Sequence, residues 1–175
     1  MFIGVSLNTA NAANCDGLPI TQGTLPAGNY TLEDNCVTDG TLVIDAVTVS
    51  IEGEGFTIDG NNAHIVFDVI NGATLNLNSV TVTNGRSAEV GGAIHSLEST
   101  VVISNSRLVS NEARTLGGAL FTSLGTAIIS NSVFTDNRTY GVGNFGVAAG
   151  DGGAIHIGAS TVSIVNSTIA NNTSG

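Results

Sequence analysis

Lysine and tryptophan are missing from this 175-residue chain, and Arg86, Arg107, Arg114 and Arg138 are its only formal cations. Without a basic stripe there is nothing to neutralise phosphates, so a nucleic-acid partner and an anionic membrane surface are both disfavoured. Good helix formers are scarce as well, with no Lys and only six Glu, and a largely helical fold is excluded. No apolar run approaches the roughly 20 residues that cross a bilayer as a helix. Charged residues make up 10% of the chain, yet 42% are hydrophobic, which is too apolar for disorder.

What the chain does contain is Gly, Thr, Val, Ile, Asn and Ser, the mixture of strands joined by tight turns. It is expected to be all-β. Fourteen carboxylates give a net charge of −10, and nine of them lie in residues 1–85, where no cation stands. Ca²⁺ attraction to that half stays open beside the plainer reading, that the carboxylates keep an apolar chain in solution.

Residues 1–13 read either as the remnant of a signal segment, with an Ala10-Asn11-Ala12 ending, or as an ordinary N-terminal strand. Cys15 and Cys36 flank a poorly repetitive stretch, 14–40, expected to cap the N-terminal end. Export would allow them to form a disulfide, worth roughly 3 kcal/mol by loop-closure entropy. Two free buried thiols are the alternative. Two thiols this far apart, without a His at ligand spacing, do not make a metal site.

From about residue 41 the chain repeats. Gly-Gly recurs at Gly91-Gly92, Gly117-Gly118 and Gly152-Gly153, followed by Ala93-Ile94, Ala119-Leu120 and Ala154-Ile155. Fourteen residues after each pair begins comes Asn-Ser, at Asn105, Asn131 and Asn166, and six residues later another Asn, at Asn111, Asn137 and Asn172. An earlier copy keeps Asn78-Ser79 and Asn84. Measured from Asn78 the copies are 27, 26 and 35 residues apart, which predicts coils of about 25 residues. Alternating stretches such as Thr100–Ser104 read as strands with one face inward. Residue types recurring one coil apart are expected of a parallel β-helix, where equivalent residues stack about 4.8 Å apart. Columns of turn Asn can then exchange amide hydrogen bonds while adopting left-handed backbone.

The run from Val66 to Leu75, then Val80-Thr81-Val82-Thr83-Asn84-Gly85, then the Gly-Gly-Ala coils ending in Asn-Ser, resembles bacterial extracellular right-handed parallel β-helix proteins of pectin-lyase-like architecture. The Gly-Gly-Ala-Ile and Phe134-Thr135-Asp136-Asn137 elements are similar to repeats of polymorphic outer-membrane protein adhesins. Leu108 and Ile169 replace Phe134 in neighbouring coils, and Thr81 stands there in the first. The likeness spans about residues 40–175 and specifies fold better than activity. It implies a secreted or cell-surface module.

That architecture hosts polysaccharide lyases and glycosidases, so the residues were tested for both. Lyases of the family need acidic Ca²⁺ ligands with a nearby Arg or Lys as base, and no Arg here has an Asp at the neighbouring repeat position with ligand spacing. Glycosidases need paired carboxylates about 5 to 9.5 Å apart. Glu52 and Glu54, two residues apart, could share a strand face, but such a pair reads more simply as surface. Adjacent aspartates and a Gly-His-Gly are absent.

His95 and His156 share a repeat position with Phe121 between them, and Phe67 is expected to precede them if the first coil is one residue short. This Phe67, His95, Phe121, His156 column is either an exposed stripe able to stack on sugar rings or a core stack. The two imidazoles would lie about 9.6 Å apart, too far to share a metal. An insertion after Asn137, about nine residues long, carries Tyr140 and Phe145 and is a further candidate contact surface.

The expectation is a non-catalytic structural, adhesin-like or carbohydrate-contacting module, with no catalytic residue, cofactor or metal. A polysaccharide lyase or glycoside hydrolase is the alternative. An ice- or mineral-binding face would want a Thr-x-Thr ladder, and Thr81 and Thr83 do not recur. Partners would be carbohydrate or another surface protein. Val162, Ile164 and Ile169 are as apolar as interior positions, so self-association or a longer repeat array through the C-terminal coil is also expected.

Overall fold

A computed structural model describes Cys15, Leu18, residues 23–141 and residues 151–175. Among them there is no helix, and the chain winds as a parallel β-helix whose strands fall into four sheets. Sheet A holds Leu42–Asp45, Phe67–Ile70, Ile94–Leu97, Leu120–Ser123 and Ile155–Gly158. Sheet B holds Gly28–Thr31, Thr48–Glu52, Thr74–Asn78, Thr100–Ser104, Thr126–Ser130 and Thr161–Val165. Sheet C holds Cys36–Val37, Thr57–Asp59, Thr81–Thr83, Arg107–Val109, Val133–Thr135 and Thr168–Ala170, and sheet D holds Arg86–Ser87, Glu112–Ala113, Arg138–Thr139 and Thr173–Ser174. Every pairing between coils is parallel. Sheets B and C begin inside the stretch expected to be cap, because Gly28–Thr31 and Cys36–Val37 already pair with the coil above.

The core is a set of aliphatic columns, one residue per coil. Val49, Leu75, Val101 and Ala127 stack in sheet B, and Ile58, Val82, Leu108 and Phe134 in sheet C, all buried. Strand alternation places these side chains inward and their neighbours outward. At the N-terminal end Cys15, Leu18, Leu25, Leu32 and Cys36 are buried, and Cys15 is bonded to Cys36. In the last coil the equivalent inward residues are open, with Ile157 45% exposed, Ile164 40% and Ile169 47%.

The Gly pairs close each coil tightly. Gly91, Gly117 and Gly152 adopt φ of 63°, 61° and 66°, where a side chain is strained. A Cβ on Gly118 would sit 2.1 Å from the Gly153 carbonyl oxygen one coil on, so only Gly permits the coil spacing there.

The register corrects the alignment of the first regular coil. Asp68 lies 27 residues from its neighbour His95, but Asn78 lies 26 residues from its neighbour Ser104. The difference is Gly72, an extra residue in the A–B corner with φ 78°. Ser79 therefore, and not Asn78, stacks with Asn105, Asn131 and Asn166. All four have positive φ, between 49° and 53°. Likewise Gly85, and not Asn84, leads the column of Asn111, Asn137 and Asn172, and Val82, not Thr81, aligns with Leu108 and Phe134.

The two Asn columns also divide the roles expected of one. The Asn105 column supplies left-handed turns. The Asn111 column supplies the ladder: Asn111 N and Nδ2 each donate to Asn137 Oδ1 at 3.0 Å, and Asn137 N and Nδ2 to Asn172 Oδ1 at 2.9 Å. A parallel serine ladder runs beside it, with Ser106 N donating to Ser132 Oγ and Ser132 N to Ser167 Oγ, each at 3.1 Å.

Candidate binding face

Sheet A decides where the histidines point. Phe67, Ile94 and Leu120 share one register and are buried, so the adjacent position faces outward. That outward column reads Val43, Asp68, His95, Phe121, His156. Phe67 is thus corrected from contact residue to core residue, and Asp68 takes its place. The column is external, which settles the alternative of a core stack.

Its geometry is ordered. His95 Nδ1 lies 2.7 Å from Asp68 Oδ1. An ionised Asp68 only accepts, so in this contact Nδ1 carries the proton. The His95 and Phe121 rings stack at 5.5 Å and 15°, and Phe121 and His156 at 5.6 Å and 3°. Because the rings lie face to face along the solenoid axis, Phe121 has both faces covered and offers an edge to a partner. Of the two sequence readings of this column the exposed stripe holds, with the faces of Phe121 turned to the neighbouring imidazoles. What the column offers is imidazole and phenyl edges, an oriented carboxylate, and apolar flanks in Ile70, Leu97 and the turn residue Leu124, the last 58% exposed.

The other candidates are spread elsewhere. Tyr140 is engaged within the protein: its Oη donates to Ser87 O at 3.2 Å, and the Arg86 guanidinium carbon lies 5.4 Å from its ring centroid. Phe145 lies outside the described residues. Glu52 ends its strand and accepts a hydrogen bond from Asn78, while Glu54 sits in a left-handed turn with φ 50°, so the two do not share a strand face. In sheet D, Glu112 stands between Arg86 and Arg138, with Arg138 Nη2 2.6 Å and Arg86 Nε 4.0 Å away. That ion-paired column holds two of the four Arg. Among the described residues no three His, Cys, Asp or Glu side chains gather as metal ligands.

Sequence reasoning passed over two features. A column of Thr48, Thr74, Thr100, Thr126 and Thr161, spaced 26, 26, 26 and 35 residues apart, lines the outer face of sheet B. His64, in the irregular connection between sheets C and A, lies 2.7 Å by Nε2 from Thr38 Oγ1. It has no repeat partner to draw attention to it.

The geometry defines a parallel β-helix with an external histidine–phenylalanine column. Comparison with protein-family models, with curated proteins and with solved structures gave no match.

Proposed function

We propose that this chain is a non-catalytic β-helix module, secreted or displayed at a cell surface, that makes contact through the outer face of sheet A. The observation that carries this reading is the Asp68–His95–Phe121–His156 column, an external set of stacked rings with apolar flanks, which no core or ladder requirement explains. The Cys15–Cys36 disulfide supports an oxidising compartment. Ring edges and one carboxylate suit hydrogen bonding to the hydroxyls of a carbohydrate or to the backbone of another surface protein. The exposed Ile157, Ile164 and Ile169 favour a second contact at the C-terminal coil, either with another chain or with further coils of a longer repeat array.

A polysaccharide lyase or glycoside hydrolase is the competing reading. A glycan and polyuronate screen with and without Ca²⁺, reading binding and product release together, separates them. Binding lost in Phe121→Ala without any product supports the module. Accumulation of unsaturated uronate or new reducing ends above a protein-free control overturns it.

A further inference from the structure

Beside the ring column, the outer face of sheet A carries aliphatic side chains and carboxylates at neighbouring positions. Ile70 and Leu97 follow the paired Val69 and Ser96, so they stand next to each other on adjacent coils, and Asp45 precedes Ile70 in the same column. Asp68 shares the outward strand face with Ile70. In the turn from sheet A to sheet B, Glu98 follows Leu97, and Leu124 takes the equivalent place one coil on. Leu124 is 58% exposed at φ 56°, a backbone conformation that a bulky side chain seldom adopts. Ala46, Glu98 and Ala159 hold positive φ at the same turn position, so neither the turn nor the core calls for a leucine there. A strained residue that the fold does not require points to function. Charge is divided by face as well. Arg86 and Arg138 lie in sheet D, Arg107 in sheet C, and Arg114 directly after the sheet D strand Glu112–Ala113, which leaves sheet A with carboxylates and no formal cation.

We propose that the partner of this face is a lysine- or arginine-bearing segment of another protein, its methylene stems lying on Ile70, Leu97 and Leu124 and its charged heads reaching Asp45, Asp68 and Glu98. The proposal rests on the reading of sheet A as the contact face and names what that face takes. A long cationic side chain joins an apolar stem to a charged head, and this face sets aliphatic groups and carboxylates side by side in the same way. Electrostatic complementarity then selects among partners: the carboxylates attract such a segment and repel a polyuronate or an anionic membrane. A neutral sugar is less well served, since the Phe121 ring faces its two imidazole neighbours.

Fluorescence anisotropy with labelled peptides of Lys and Ser, of Glu and Ser, and of diaminobutyric acid and Ser tests this, the last keeping the ammonium on a shorter stem. The Lys peptide should bind, the diaminobutyric peptide severalfold more weakly, and the Glu peptide not at all. Binding should weaken severalfold between about 50 and about 300 mM salt, because exposed charges are screened. Asp68→Asn with Glu98→Gln, and separately Leu97→Ser with Leu124→Asn, should each weaken it severalfold. Asn71 already occupies the equivalent left-handed position, and Leu124→Ala serves if the Asn variant does not keep the thermal midpoint of the unmodified protein. Glu54→Gln, in the turn after sheet B, should change nothing. The cationic partner is overturned if the Lys peptide does not bind, if the diaminobutyric peptide binds equally well, or if Glu54→Gln costs as much as the Asp68 and Glu98 changes. A neutral glycan held through Phe121 in place of the peptide also overturns it, while leaving sheet A as the contact face. Peptide binding indifferent to all the sheet A variants, with no glycan responding to Phe121→Ala, removes the contact face itself.

Discussion

Whether an asparagine of this solenoid serves as a turn or as a rung depends on which of two columns it occupies. Asn131 is exposed at φ 49°, where its value is tolerance of left-handed backbone; Asn137 is fully buried and its amide group bonds four ways. Asn137→Ala would strand Asn111 N and the Leu108 carbonyl in the interior, and should lower unfolding free energy by roughly 3 kcal/mol. Asn131→Gly should be nearly neutral, whereas Asn131→Val should cost about 1 kcal/mol through backbone strain. Urea denaturation of the three variants checks the contrast. Amides also stand in for the cations absent from residues 1–85. Asp45, Glu52 and Asp59, on three sheets of one coil, accept from Asn71, Asn78 and Asn84 of the next.

Strands of two to five residues hold together here because all but the edge strands of each sheet are paired on both sides. The Gly pairs set how closely the turns nest. Gly118→Ala forces a methyl into the Gly153 carbonyl, and no flexible side-chain end is there to yield. The expected loss is roughly 3 kcal/mol or more, read as a lower thermal midpoint or failure to fold. The Arg86–Glu112–Arg138 column should matter far less, since both guanidinium groups are about half exposed. Glu112→Gln is expected to change stability by less than about 1 kcal/mol, with that difference shrinking further in high salt.

At the scale of the whole molecule the two ends differ. The N-terminal end is covered by buried leucines and clamped by the disulfide, while Ile157, Ile164 and Ile169 stand open in the last coil. Reduction of Cys15–Cys36 should cost roughly 3 kcal/mol by the chain-entropy estimate, measured as the shift in denaturation midpoint with and without reductant. If the open coil associates, sedimentation should show a concentration-dependent species that Ile164→Asp with Ile169→Asp removes. A chain that stays monomeric at every concentration would exclude association through this coil.

The period, the Gly pairs and the Asn spacing were enough to establish a coiled parallel β architecture, because a solenoid must place the same residue type at the same turn in every coil. Cysteine separation and the irregular stretch around it were likewise enough to expect the disulfide. Which face each column occupies was beyond reach. Side chains alternate with a period of two, so one unrecognised residue exchanges inside for outside. Gly72 is such a residue: the register is 27 residues before it and 26 after it, so Asn78 and Asn84 fall outside their expected columns. Sheet A, which lies before Gly72 in its coil, instead needed the pairing of Phe67 with Ile94 to show that Asp68 leads the external column. The contact between Thr38 and His64 depends on two segments 26 residues apart that follow no repeat, and only the folded chain brings them together.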